Sequence, residues 1–87
     1  MLESKIEQKL IAHIKKLGGI AYKFTSPNRR GVPDRLCVMP NGRVLFVEVK
    51  APNKQPTPLQ QHEHNVLRSL GHVVIVVDSE DKINAIA

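Results

Sequence analysis

The 87 residues, 41% hydrophobic and 24% charged, make a length that predicts one domain spanning residues 1–87 and the balance of an ordinary globular chain, excluding disorder and a membrane bundle. A chain of this size buries only roughly 64% of its unfolded surface, so a second subunit is a natural source of further burial. The net charge of +5 attracts polyanions, and all of it lies between Lys23 and Lys54, where Lys23, Arg29, Arg30, Arg35, Arg43, Lys50 and Lys54 face only Asp34 and Glu48.

The start, Met1-Leu2-Glu3-Ser4-Lys5, is acidic and lysine-bearing and does not read as a signal peptide, which predicts a cytoplasmic protein. Leu2, Ile6, Leu10, Ile14 and Leu17, with Ile11 beside them, recur at helical spacing and stop at Gly18-Gly19, predicting an amphipathic helix over 2–17. Glu7 lies at the margin of that apolar face, as a surface carboxylate paired with Lys5 or Lys9 or as an acid aimed at a functional site. Ile20 to Phe24 reads as a strand running into the loop that ends at Pro33. Arg35–Met39 and Arg43–Lys50 flank Pro40-Asn41-Gly42, which predicts a hairpin with a type I turn, Pro40 second, Asn41 third and Gly42 left-handed. The lone Cys37, among alternating apolar residues, is expected to be buried and inert.

Thr57-Pro58-Leu59-Gln60 combines an N-cap threonine, a proline at the first helical position and a glutamine at the third, the pattern of a capping box. The helix it opens carries Leu59, Val66, Leu67 and Leu70 as its expected apolar face and ends at Gly71. Val73–Val77 is too short to span a bilayer and reads as a strand buried on both faces, and Ser79–Ile86 as a short acidic helix or frayed tail. The order α-β-β-β-α-β-α predicts an α/β fold with a mixed central sheet flanked by helices.

A three-residue hairpin loop pairs Met39 with Arg43, and the same register brings Asp34 opposite Glu48, with Cβ atoms roughly 5 Å apart. Two carboxylates that close repel unless a cation lies between them, and a hard dication with oxygen ligands is the simplest compensation. Lys50 shares the face of Glu48, so an ammonium joins the pair, although a cross-strand salt bridge would place the same residues. The histidines His13, His62, His64 and His72 show no ligand spacing. Three aromatics make no base-stacking platform, and no glycine-rich phosphate loop is present.

Gly31-Val32-Pro33-Asp34, then Glu48-Val49-Lys50 fourteen positions on, preceded by a helix with Glu7 and followed by Thr57-Pro58-Leu59-Gln60, resembles the VRR-NUC branch of the PD-(D/E)XK nucleases. The resemblance runs from about Ile6 to Val77 and rests on the joint order and spacing of these motifs. It implies a restriction-endonuclease-like core and a Mg2+- or Mn2+-dependent DNA endonuclease with no organic cofactor. It also implies that Asp34, Glu48 and the Val49 backbone carbonyl hold the metal, with Glu7 as the first-helix acid. Lys50 then serves the attacking water, and Gln60 is the family's glutamine, a role that stands beside its capping one. Glu63 departs from the pattern, standing where many relatives carry Trp.

Free-standing members resemble phage or bacterial relatives of Holliday-junction resolvases, which implies a homodimer acting on branched DNA. The product expected is a 5′-phosphate and a 3′-hydroxyl. Arg29, Arg30, Arg35 and Lys54 are the candidates for gripping the phosphate backbone, or are solvated cations. A catalytically silent nucleic-acid-binding module would use the same basic segment without metal, and a protein-interaction module would cover it with a partner.

Overall fold

A computed structural model describes residues 1–87. Helix α1 (Glu3–Lys16) is followed by β1 (Ile20–Lys23), β2 (Arg35–Val38), a 3-10 turn at Pro40–Gly42, and β3 (Val44–Val49). Helix α2 (Pro58–Ser69), β4 (Val73–Val77) and α3 (Glu80–Asn84) complete the chain. Each element lies within one or two residues of its expected bounds. The strands form one sheet in the order β1-β2-β3-β4; β1/β2 and β2/β3 are antiparallel, and β3/β4 is parallel. Helix α2 is the crossover between the parallel pair, as that direction requires.

The β2/β3 register is the expected one: Arg35 pairs with Val47, Leu36 with Phe46, Cys37 with Leu45 and Val38 with Val44. Closure differs in one detail. Met39 N–H still donates to Arg43 O at 2.8 Å, but Asn41 as well as Gly42 is left-handed (φ 65° and 76°). The turn is therefore not type I at its third position, and asparagine tolerates the change because its short polar side chain is at home in that region.

Period-two alternation splits the sheet into two faces. Cys37, Leu45, Val47, Val49 and Val77 point to the side where α1 lays down Ile6, Leu10 and Ile14, each fully buried, and where Ile83 and Ile86 of the C-terminal segment close the cluster. Burial of the Cys37 thiol pushes its pKa up to about 11, which keeps it protonated and unreactive. The tail is docked rather than frayed: Ser79 caps α3, and His13 Nε2 lies 2.7 Å from Ile86 O.

Two expectations need correction. Strand β4 is an edge, so Val73 stays half exposed, and only Val74 and Val77 are buried. In α2 the buried residues are Glu63 and His64, while Leu59 and Leu70 lie exposed. The reason is the surface beneath that helix: it carries Glu48 and Lys50, and a charged floor requires polar partners rather than a leucine stripe.

Gly31 ties the loop before β2 to the start of α2. Its φ is +81°, and a Cβ there would lie 2.8 Å from Leu59 O and 3.2 Å from Gln60 Cα. Backbone cannot yield as a flexible side chain can. We therefore expect Gly31→Ala to cost about 2 kcal/mol or more and to lower Tm by roughly 10 °C, measured by thermal melting.

Candidate active site

The site lies where β2 begins and β3 ends. Continuing the β2/β3 register beyond Arg35 and Val47 brings Val49 opposite Pro33, a buried residue with no N–H. Proline therefore offers the Val49 carbonyl no donor, while the Val49 N–H donates to Asp34 Oδ2 at 2.8 Å. Because N–H and C=O of one strand residue point to the same side, the Val49 carbonyl opens into the gap that Asp34 borders. The Asp34 main chain is also held, its carbonyl accepting from Phe24 N–H at 2.9 Å.

Glu48 points from β3 to the α2 face and is 1% exposed. Its Oε1 is buried without a hydrogen-bond partner. Burial first, and then the neighbouring Asp34 carboxylate, push the Glu48 carboxyl up to about 8, against the opposing pull of Lys50. These are the signs of a carboxylate pair whose charges are compatible only with a cation between them: two acids crowd one gap, and burial makes each charge more costly. Asp34, Glu48 and the Val49 carbonyl supply hard oxygen donors, so the residues fit a Mg2+ or Mn2+ ion.

Lys50 Nζ donates to Gln60 Oε1 at 2.7 Å and stands 3.7 Å from Glu48 Oε2. Gln60 Oε1 also accepts from Thr57 N–H at 2.9 Å, completing a capping box with Thr57 Oγ1 and Gln60 N–H. The two readings of Gln60 are thus one arrangement: the oxygen that caps α2 also holds the ammonium.

The other expected residues are placed differently. Glu7 does not join the carboxylate pair. It lies on the α1 face and accepts from Arg35 Nε at 3.1 Å, so it adds no third side chain to the pair, and no group of three His, Cys, Asp or Glu side chains is placed to hold a metal ion by itself. Strand parity is the cause, since Arg35 points to the face opposite Glu48. The same contact draws Arg35 inward, where its guanidinium also donates to Ala21 O at 3.1 Å. Arg29 makes a bidentate pair with Glu63, at 2.8 and 2.7 Å, and holds that carboxyl below the usual range. Arg30 and Lys54 are exposed and form no ion pair.

The residue that sequence reasoning passed over is His64. It is fully buried, with Nε2 3.4 Å from Glu48 Oε1. A signal existed in the spacing: His64 follows Gln60 by four positions and so shares its helix face.

Comparison with known proteins places the chain in a family. A family model described as the VRR-NUC domain matches residues 1–81. The chain is 60% identical over 79 residues to "Putative nuclease p44" of Acyrthosiphon pisum secondary endosymbiont phage 1, covering 91% of this chain and 85% of that protein. It is also similar to a solved structure titled VRR_NUC domain, with a TM-score of 0.90 and 35% identity, covering 94% of this chain and 89% of the other.

Proposed function

Since the chain belongs to the VRR-NUC nuclease family, we propose that it is a Mg2+- or Mn2+-dependent endonuclease that hydrolyses phosphodiester bonds in branched DNA, four-way junctions above all, as a homodimer. The observation that carries this reading is the buried Glu48 carboxylate set beside Asp34 and the Val49 carbonyl, two acids sharing one gap with hard oxygen donors. When bound by these groups, the dication supplies Lewis-acid activation of water and neutralises charge on the scissile phosphate.

The chain's own residues do the rest. Asp34 is oriented by the Val49 N–H and keeps Oδ1 for the site. Lys50, fixed by Gln60, presents a compact ammonium that steers the attacking water and offsets negative charge as it gathers on the phosphate. Arg30 and Lys54, exposed and unpaired, grip the DNA backbone, which contributes affinity without sequence choice. Glu7, if it acts on the metal, must first leave Arg35.

A homodimer is supported by the sheet face that α2 leaves bare. Ile20, Val38 and Val44 are aligned across β1, β2 and β3 and are 55%, 40% and 39% exposed. Two copies would bury this row and supply the two sites that symmetric cutting of a junction requires.

The test incubates labelled four-way junction, flap and linear duplex with Mg2+ or Mn2+, using wild type and Asp34→Asn, with sedimentation on the same samples. We expect paired cuts in the junction by a dimer, abolished by the substitution and by a chelator. Cleavage that survives either would overturn the assignment. Cutting of the flap alone by a monomer would keep the metal site and replace the substrate. Binding without cleavage under every condition would identify a non-catalytic DNA-binding module.

A further inference from the structure

Buried polar side chains in a folded protein have hydrogen-bond partners, and an exception requires an explanation. Here three unpartnered buried atoms occur together: Glu48 Oε1, His64 Nδ1 and His64 Nε2. His64 is not a filler in an apolar core. Its ring approaches one carboxylate oxygen, at 3.4 Å, on the side away from Lys50, which stands 3.7 Å from the other oxygen, Oε2. Glu48 is thus flanked by two nitrogen groups, one per oxygen.

We propose that His64 is a positioning residue for Glu48: its Nε2–H closes on Oε1 when the site takes up its cation, fixing the carboxylate plane so that Oε2 faces the gap shared with Asp34. The inference rests on the metal-dependent reading above and adds a residue to it. Nε2 can carry a proton in the neutral ring or in the imidazolium, so the role does not depend on which form is present. The separation is a few tenths of an ångström long for a good hydrogen bond, a gap that a small rotation of either side chain closes. Removing an outer partner of a metal ligand typically weakens metal affinity 10- to 100-fold.

Gln60 and His64 act as a pair from the same face of α2. Gln60 holds Lys50, and His64 holds Glu48, so this helix sets both the ammonium and the acid.

The experiment titrates the whole chain with Mn2+ alone, without DNA, by calorimetry. The samples are wild type, Asp34→Asn, His64→Leu, His64→Gln and His64→Asn, and the melting temperature is recorded for each. Leucine keeps volume and removes the donor. Glutamine keeps an N–H near the position of Nε2, and asparagine is one bond too short. We expect His64→Leu and His64→Asn to weaken Mn2+ binding roughly 10- to 100-fold, and His64→Gln to stay within about threefold of wild type.

In turnover with junction DNA, the loss should be recovered at high Mn2+, with KM for DNA unchanged. If His64→Leu fails to fold, the comparison of glutamine with asparagine decides alone. Wild-type affinity in the asparagine or leucine variant overturns the proposal, as does an equal fall in all three. Absence of Mn2+ binding in wild type, indistinguishable from Asp34→Asn, overturns the metal-dependent reading and this inference with it.

Discussion

Glu48→Gln is expected to abolish DNA cleavage, by on the order of 10³-fold or more, while making the metal-free protein more stable at neutral pH and above. In the absence of a cation, burial and the Asp34 carboxylate raise the Glu48 carboxyl from 4.5 to about 8. A group whose folded pKa is raised contributes stability that is fully present below its unfolded value. That contribution is lost as pH rises through the folded value. Metal-free wild type should therefore weaken between about pH 4.5 and pH 8 relative to Glu48→Gln, and the gap should level off above that window.

Each pKa unit corresponds to 1.36 kcal/mol, so the difference at pH 7–8 is on the order of 3 kcal/mol, or roughly 10–20 °C in Tm. Glutamine mimics the protonated acid and is indifferent to this titration. Saturating Mn2+ should reverse the ranking, because only wild type gains stability from the bound ion. Thermal melts across pH, with chelator and with Mn2+, read both limbs. A variant that melts below wild type at pH 8 in chelator, or that cuts DNA at the wild-type rate, would sink the assignment of Glu48.

Much of this arrangement was legible in the chain because it depends on local rules with sharp consequences. Three residues between two strand-like runs determine a hairpin register, and that register alone brings Asp34 opposite Glu48; the observed pairing of Arg35 with Val47 follows the same rule. Thr57, Pro58 and Gln60 announce a helix start by capping chemistry, and the capping box is present. The elements that end at Gly18 and Gly71 do so because each glycine takes a left-handed φ, 88° and 92°, that terminates the helix.

What resisted reading was the choice of face. Glu7 has the spacing of a residue near the apolar stripe of α1, but whether it meets Glu48 or Arg35 depends on which side of the sheet α1 covers. Helix α1 covers the odd-numbered side, that of Arg35 and Cys37, and Glu7 meets Arg35. The α2 error has the same origin. Leucines at helical spacing suggest an apolar stripe, yet the floor beneath the helix is the carboxylate site, and the residues turned inward are Glu63 and His64. Glu63 would be an unpaired buried acid at that position had the loop not supplied Arg29, 34 residues earlier. No one-dimensional pattern links those two residues.

The double role of Gln60 yields the second large effect. Its Oε1 accepts from Lys50 Nζ at 2.7 Å and from Thr57 N–H at 2.9 Å, while its own N–H donates to Thr57 Oγ1 at 3.2 Å, so helix capping and the holding of the ammonium meet in one residue and can be separated by changing Lys50 or the Thr57 hydroxyl. Lys50→Met keeps the length of the side chain and removes the ammonium. Charge developing on the phosphate would then lose the offsetting ammonium, and the Glu48 carboxyl loses the neighbour that lowers it.

We expect kcat to fall 10²- to 10³-fold, with Mn2+ affinity weakened as well and Tm within a few degrees of wild type. Lys50→Arg should not restore the rate, because a planar fork cannot replace a compact ammonium held between Gln60 and Glu48. Thr57→Ala should do the reverse. It removes the hydroxyl that caps α2, at a cost of about 1 kcal/mol or roughly 4–8 °C in Tm, but leaves Gln60 free to hold Lys50, so kcat should change less than threefold. Single-turnover cleavage of a labelled junction, set beside thermal melts of the same samples, reads both axes. A Lys50→Met enzyme that retains wild-type kcat would remove the ammonium from the mechanism and leave Gln60 as a helix cap and nothing more.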